Sequence, residues 1–424
     1  MQTHLLGRSL LTTAFLVLTF TVTPIAERPA AAEQPSIAVL PFANLSGDTE
    51  QDYLSDVVTD NTVKTLSKVG GLLVVSGGSP ASQDKPLPDL AKELDVGYVL
   101  QGGVQQSGDS VKMTATLSDA ESDKTLWSEN YERELKAIFD LQDKITRQVV
   151  TSLGVQLTPE EEQRVWRRQT SDVGAYQAYL EGREHFFSFT KSDMVEAQKL
   201  YEKALALDPD FATAWTSLGS THVEQARYQW VEDTAAAWAR ADQAAQKALA
   251  IDGANPYAFS LLGTLEESRG NLAEAVALSE KAAVFAPSDA TINFSLGARL
   301  TLIASKPKEG LKVITKAMRL NPSHPSVFLE GAGWANYALG NYDKALAAFE
   351  EYHKRNPDDT DGNVEIIYTS ATLGRLEEAK AAVAELLQKH PDFTIEGYSV
   401  LSRFRDPAVA KLIRDNTAKA GLPQ

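Results

Sequence analysis

Few residues of this 424-residue chain stand at spacings that could do chemistry. No serine sits in a nucleophile elbow, no glycine-rich loop ends in Lys-Ser or Lys-Thr, and no helix carries His-Glu-x-x-His. The chain has no cysteine, which excludes structural disulfides, thiolate zinc sites, iron–sulfur clusters and cysteine nucleophiles. Gly331 and Gly333 begin like a dinucleotide fingerprint, but Asn336 stands where the third glycine belongs and the segment reads as a helix. Asp358-Asp359-Thr360-Asp361-Gly362 imitates a calcium loop. With Gly362 in the loop-glycine place, Pro357 falls on the first ligand and Tyr368 on the bidentate glutamate, so the stretch reads as a solvated turn. His185, His222, His324, His353 and His390 are dispersed without the pairing that metal ligation needs. Asp48, Glu50, Asp56 and Asp60 read as a solvated acidic face, since a catalytic carboxylate pair needs an enclosing pocket to split its pKa values. Arg164, Arg167 and Arg168 around Trp166 form too small a basic cluster for nucleic acid. No catalytic residue, metal ligand or cofactor is therefore assigned.

With chemistry this sparse, function must lie in the surfaces that the folded elements present. Hydrophobic residues make up 43% of the chain, enough for real cores, and the length suits two or three domains. Lys and Arg number 41 against 57 Asp and Glu, a formal charge of −16. That balance argues against a general nucleic-acid binder and favours basic or amphipathic partners.

Residues Leu10 to Val22 form a short apolar run preceded by Arg8 and followed by Ala30-Ala31-Ala32. A positive start, a hydrophobic stretch too short to span a bilayer and a small-residue cleavage site predict a secretory signal peptide over residues 1–32, with cleavage after Ala32. No cysteine follows it, so a lipoprotein anchor is not expected. The mature chain is expected in the periplasm or secreted.

Residues 33–157 read as an α/β domain. Ser36 to Phe42 is a β-branched apolar run, Gln51 to Val69 carries a helical face, Leu72 to Val75 is a strand, and Leu87 to Leu94 a helix. Tyr98 to Gln105 is a third strand. Val111, Met113, Ala115 and Leu117 alternate with Lys112, Thr114 and Thr116, the period-2 mark of a strand with one buried face. Thr125 to Tyr131 adds a strand, and Ile138, Leu141, Ile145, Val149 and Leu153 recur at helical spacing. A mixed sheet flanked by helices follows.

The strings IAVLPFANLSGDTEQDYLSD at 37–56, ELDVGYVLQGGVQQSGDSVKMTATLSDAESDKTLWSENYERE at 93–134 and IFDLQDKIT at 138–146 resemble the TolB amino-terminal-like domain. That domain often stands between a class III adenylate/guanylate cyclase or a winged-helix DNA-binding domain and tetratricopeptide repeats. The sequence departs from the pattern at Ser76 to Lys85, where relatives carry a longer, more aromatic and basic segment. No cyclase catalytic domain is recognisable, so cyclase activity is not expected.

After a linker at 158–172, prolines at 287, 322, 357 and 391 recur about every 35 residues, the period of stacked helical hairpins. In the unit Ser326 to Asp359, Gly333, Gly340, Tyr342, Ala345, Phe349 and Pro357 resemble the tetratricopeptide pattern. About six such units are expected over 173–391, the second stretched near Ala226 to Thr234. In the fourth, Ser305-Lys306-Pro307 replaces the usual turn glycine. Residues 392–424 resemble a closing segment and are expected to cap the array. The fold class is thus an α/β domain followed by an all-α solenoid.

The resemblance implies that the concave face of the array holds extended peptides or partner helices. Its register puts Tyr257, Ser260, Glu267, Val327, Glu330, Trp334, Tyr337 and Tyr368 on that face, where aromatic side chains would serve as anchors. The expected function is a non-enzymatic scaffold that binds protein partners. The alternative is a regulator whose α/β domain senses a small molecule or nucleotide at the carboxyl ends of its strands.

Overall fold

The computed structural model describes residues 34–78, 85–398 and 400–424. The expected signal peptide and the middle of the Ser76 to Lys85 loop lie outside the described residues. The first part is a sheet of β1 (Ser36–Val39), β2 (Ala43–Asn44), β3 (Leu73–Ser76), β4 (Tyr98–Ser107), β5 (Ser110–Asp119) and β6 (Lys124–Glu134). Its order is β3-β1-β4-β5-β6, with β2 also on β4. β1 runs parallel to both β3 and β4, whereas β4, β5 and β6 form an antiparallel meander.

The residues explain this arrangement. After Ser36, β1 is apolar and buried at Ile37, Ala38 and Val39 because both of its faces are covered, as parallel strands require. Ile37 and Val39 join the core with α1 (Asp52–Leu66) and α3 (Ile138–Ser152), while Ala38 and Leu40 pack with α2 (Leu87–Leu94) on the opposite face. In β5 the alternation holds: Val111, Met113, Ala115 and Leu117 are buried and Lys112 is exposed.

The segment expected as a linker is instead partly helical. α4 (Pro159–Val165) starts with a capping box in which the Thr158 hydroxyl accepts from Glu161 N at 3.2 Å and the Glu161 carboxylate accepts from Thr158 N at 3.0 Å. The basic cluster beside it is consumed in structure. Arg164 Nη2 donates to Lys68 O, Arg167 to Ile251 O, and Arg168 reaches Asp140 and Asp143 of α3 at 2.8 and 2.5 Å. The guanidinium of Arg147 lies 4.3 Å from the Trp166 ring centroid.

Among the described residues, twelve helices then pair consecutively into six hairpins: α5 (Val173–Ser188) with α6 (Lys191–Leu207), α7 (Ala212–Arg227) with α8 (Thr234–Ile251), α9 (Pro256–Ser268) with α10 (Leu272–Phe285), α11 (Ala290–Leu302) with α12 (Pro307–Leu320), α13 (Val327–Ala338) with α14 (Tyr342–Arg355), and α15 (Thr360–Thr372) with α16 (Leu376–Lys389). Gly333 shows why a small residue recurs in the first helix of five of the pairs, at Gly182, Gly219, Gly263, Gly297 and Gly333. The ring of buried Phe349 lies against it, and a Cβ there would meet ring atoms at 2.6 and 2.7 Å. Gly270, Gly340 and Gly374 turn the chain between paired helices with φ of 82°, 77° and 77°. Ser305 adopts the same left-handed conformation, φ 53°, in the fourth unit.

The array docks back on the α/β domain. Asp60 of α1 is enclosed by Lys64 at 2.9 Å, by Arg183 of α5, and by the Tyr176 hydroxyl, which donates to it at 2.8 Å. Burial would raise its pKa, but Arg183 and Lys64 hold it well below the ordinary carboxylate range. This corrects the reading of Asp48, Glu50, Asp56 and Asp60 as one solvated face. Further along, Ser67 Oγ donates to Ser288 O at 3.2 Å and Ser288 Oγ to Leu72 O at 3.1 Å, while Arg319 pairs with Asp95 at 2.6 Å.

The last residues do more than close the end of the array. α17 (Pro407–Ala420) packs on α15, with Asn416 Nδ2 donating to the Thr372 hydroxyl at 2.9 Å. The chain before it, residues 395–405, reaches back to earlier repeats: Arg405 N donates to Leu302 O at 2.8 Å, and Arg403 Nε to Glu267 at 2.8 Å.

Candidate binding site

A cleft of about 760 Å³ lies between the α/β domain and the first helices of the hairpins. Its domain side is built by α1 through Asp56, Asp60 and Lys64 and by Pro41, Ser76 and Gly78, which follow or end β1 and β3. Its array side repeats a pattern. Residues four apart on successive helices line it as pairs: Thr216 and Ser220, Ser260 and Thr264, Phe294 and Ala298, Glu330 and Trp334. A four-residue step returns to the same helix face, so these pairs form one strip across four helices.

The eight expected groove residues fall into two groups. Tyr257, Ser260, Val327, Glu330 and Trp334 line the cleft, whereas Glu267, Tyr337 and Tyr368 are absent from its lining. The expectation that the aromatic residues offer free surface is overturned: Trp334, Tyr337 and Tyr368 are buried. The reason is the chain's own tail. Ile395, Tyr398, Val400, Leu401 and Phe404 share one apolar core with these three residues, with Leu302 of α11 and with Ile303 just after it. The Tyr398 ring lies 6.1 Å from that of Tyr368, and its hydroxyl donates to Glu365 at 3.1 Å. Nothing in the helical periodicity of the repeats reveals that a later segment covers them. The apolar residues scattered through Ile395 to Phe404, namely Ile395, Tyr398, Val400, Leu401 and Phe404, were the available signal.

Glu267 is also covered, but by charge. It lies between Arg403 and Arg299, whose Nε stands 3.3 Å from Glu267 Oε2 as an ion pair without hydrogen-bond alignment. Burial alone would raise the Glu267 pKa, yet Arg403 and Arg299 bring it down to about 2. Tyr257 donates its hydroxyl to Asp289.

At the far end of the cleft two acids, Glu330 and Glu365, stand together without a basic ion-pair partner among the described residues. Glu330 is 5% exposed and Glu365 fully buried. One oxygen of Glu365 accepts from Trp334 Nε1 at 2.6 Å and from the Tyr398 hydroxyl at 3.1 Å, while the other has no hydrogen-bond partner. Burial, then Glu365, Asp359 and Asp361, push the Glu330 carboxyl well above its ordinary pKa. Burial also leads the rise at Glu365, with Asp361 and Asp359 adding to it against the hydrogen bonds from Trp334 and Tyr398. The stretch read as a solvated turn is thus partly interior. Asp361 is buried, and Asp359 caps α15 by accepting from Asp361 N at 3.1 Å while taking the Tyr352 hydroxyl. Among the described residues, no group of three or more His, Asp or Glu side chains could hold a metal ion.

A second cavity, of about 260 Å³, is lined by Lys68, Arg167, Gln169, Asp208 and Asp252 among others, near the start of the array. Burial lowers the Lys68 pKa to about 8 despite Asp252.

The helical part matches two tetratricopeptide repeat models, over residues 304–360 and 336–404. The chain carries tetratricopeptide repeats. Residues 33–148 match a model described as the second domain of HilA/YgeH-like transcriptional regulators, a different description from the TolB-like resemblance. Over 231 residues the chain is 36% identical to "Putative adenylate cyclase 3" of Rhizobium meliloti, covering 54% of this chain and 39% of that protein. Over 191 residues it is 22% identical to the transcriptional regulator HilA of Salmonella typhimurium, covering 45% of this chain and 34% of that one. The chain thus spans well under half the length of these relatives. Among solved structures, it is similar to the type IV pilus biogenesis factor PilW, with a TM-score of 0.38 and 16% identity over 48% of this chain and 90% of that one. It is also similar to YrrB, described as a tetratricopeptide protein with an unusual peptide-binding site, with a TM-score of 0.32 and 19% identity over 51% and 97%.

Proposed function

We propose that the chain is a non-enzymatic, exported scaffold that holds an extended segment of a protein partner in the cleft between its α/β domain and its repeats. One observation carries the reading: the strip of paired residues on α7, α9, α11 and α13 that faces a 760 Å³ opening. The hydroxyls of Thr216, Ser220, Ser260 and Thr264 offer polar contacts for a peptide backbone, and Phe294 offers an apolar one. Export rests on the sequence of residues 1–32, and the TolB-like reading of the α/β module on the strings at 37–56 and 93–134. Crosslinking in intact cells followed by osmotic-shock fractionation tests both parts. Partners should be captured from the periplasmic fraction and lost with Ser260→Trp, which fills the cleft; capture unchanged by that variant removes the cleft from the account.

A second reading is favoured by Pro41, Ser76 and Gly78, which bring the carboxyl ends of β1 and β3 to the same opening. Ligands of open α/β sheets settle at such ends, so a small molecule or nucleotide could bias the scaffold there, in keeping with relatives named as a cyclase and a transcriptional regulator. A nucleotide and metabolite panel at 100 times the dissociation constant should stabilise the protein by about 2.7 kcal/mol. No shift across the panel leaves the scaffold reading alone.

A further inference from the structure

We infer that the end of the cleft walled by Glu330 receives a basic side chain, an arginine or lysine of the bound peptide. The inference rests on the scaffold reading and adds the chemistry of its ligand.

The geometry supplies the first argument. Glu330 lines the cleft while being 95% removed from solvent, and behind it stands Glu365, within hydrogen-bond reach of the Glu330 carboxyl and with one oxygen that takes no donor from any other described residue. A buried carboxylate without a donor or a cation is costly. Here two carboxyls share a site and can be bridged by a proton, no ion pair to either is present among the described residues, and the further acids around them, Asp359 and Asp361, are of the same sign. The other polar groups facing the pair are Trp334 Nε1 and the Tyr398 hydroxyl, both spent on the same oxygen of Glu365, Tyr352, which donates to Asp359, and the buried Tyr368 hydroxyl, a neutral group beside Glu365. The arginines that line the cleft nearby, Arg299 and Arg403, are paired with Glu267. A planar guanidinium or an ammonium entering from the cleft would meet the one need this end has left open.

The second argument comes from the tail. The groove already holds a segment of this chain, residues 395–405, and that segment inserts Arg403 against buried Glu267. The concave face of these repeats therefore accommodates a peptide that presents a basic residue to a buried glutamate. Glu330, one turn before Trp334 on α13, offers the same kind of acceptor where the cleft remains open.

Burial and mutual repulsion keep the empty pair protonated more readily than ordinary carboxyls. A cation stabilises the ionised form, so binding should release protons and strengthen as pH rises.

The test uses the full chain labelled with 5-fluorotryptophan, since Trp334 donates directly to Glu365 and its resonance is assigned with Trp334→Phe. The probes are Ac-Ala-Leu-Arg-Leu-Ala-NH2 and the same peptide with neutral citrulline for arginine. The arginine peptide should shift the Trp334 resonance saturably and bind roughly ten-fold or more tightly than the citrulline one. Glu330→Gln, isosteric with the protonated acid, should abolish that preference; Glu365→Gln provides a second variant, and urea unfolding confirms that each is folded. Equal binding of the two peptides, no saturable shift with the arginine peptide, or competition by spermidine as strong as by the peptide would each overturn the inference. Partner capture lost in Ser260→Trp but retained in Glu330→Gln removes this inference and leaves the scaffold reading standing.

Discussion

The interaction that ties the tail to the groove can be tested through Glu267→Gln. Glu267 sits on α9 between two arginines contributed from α11 and from the segment before α17, so it joins three parts of the chain distant in sequence. Its pKa falls from the ordinary 4.5 to about 2 despite the opposing effect of burial. At roughly 1.4 kcal/mol per pKa unit, that difference corresponds to ~3 kcal/mol of stability. It agrees with the cost of about 3–5 kcal/mol for removing one member of a buried ion pair and stranding the other. Because the folded value lies below the unfolded one, this contribution is complete above about pH 4.5 and fades as pH falls towards 2. Buried Glu330 and Glu365 work in the opposite sense: their raised values give stability that is lost as pH rises. The quantity to follow is therefore the difference between wild type and variant. Urea unfolding should show Glu267→Gln less stable by ~3 kcal/mol at pH 7 and nearly equal to wild type at pH 2.5. Hydrogen exchange should locate the loss in α9, α11 and residues 400–405. The double variant Glu267→Gln/Arg403→Gln should recover part of the loss by removing one stranded cation. A difference below about 1 kcal/mol at pH 7, or one that persists unchanged at pH 2.5, would refute the assignment.

Three further substitutions probe the elements that place the cleft. Ser305→Gly should stabilise the chain by about 1 kcal/mol in thermal or urea unfolding, because a left-handed φ costs a side-chain-bearing residue and not glycine. Gly333→Ala should destabilise by roughly 1–3 kcal/mol, since its Cβ would press on the buried Phe349 ring and neither partner has room to yield; an unchanged urea midpoint contradicts that packing. Thr158→Ala should cost about 1 kcal/mol through loss of the α4 capping box, with faster hydrogen exchange confined to the first turn of that helix.

Local chemistry made most elements readable. The alternation in Val111 to Leu117 marked β5, and the Gly–Ala–Pro register from Gly333 to Pro357 marked a hairpin, because period and turn residues are properties of neighbours in sequence. The site was less readable for the complementary reason. Trp334, Tyr337 and Tyr368 lie on the face that the register indicated, but whether that face is free depends on residues 395–405, which arrive from far along the chain. Asp60 looked like one acid of a loop-facing run, and its burial depends on Arg183, more than a hundred residues away. The Arg164 to Arg168 cluster likewise acquires its role from Lys68, Ile251 and α3. Tertiary partners decide the fate of a charge, and one sequence does not list them.

The tail also narrows what a partner can be. Aromatic anchors would ordinarily carry the affinity of a peptide groove, yet here Trp334, Tyr337 and Tyr368 are buried in one core that also contains Tyr398, Val400 and Phe404. What remains open is the part facing the α/β domain, where hydroxyls and Glu330 stand beside partly exposed aromatic residues such as Phe186, Phe187, Phe189, Tyr228 and Phe294. Such a surface offers apolar contacts together with hydrogen bonds and a buried acid. Buried polar groups reject a ligand that lacks the matching group more sharply than an apolar pocket rejects a missing methylene. With Trp334, Tyr337 and Tyr368 buried in the core they share with the tail, the contacts left to a ligand combine aromatic surface near α5 with polar groups on α7, α9 and α13, and discrimination by charge among them depends most on Glu330.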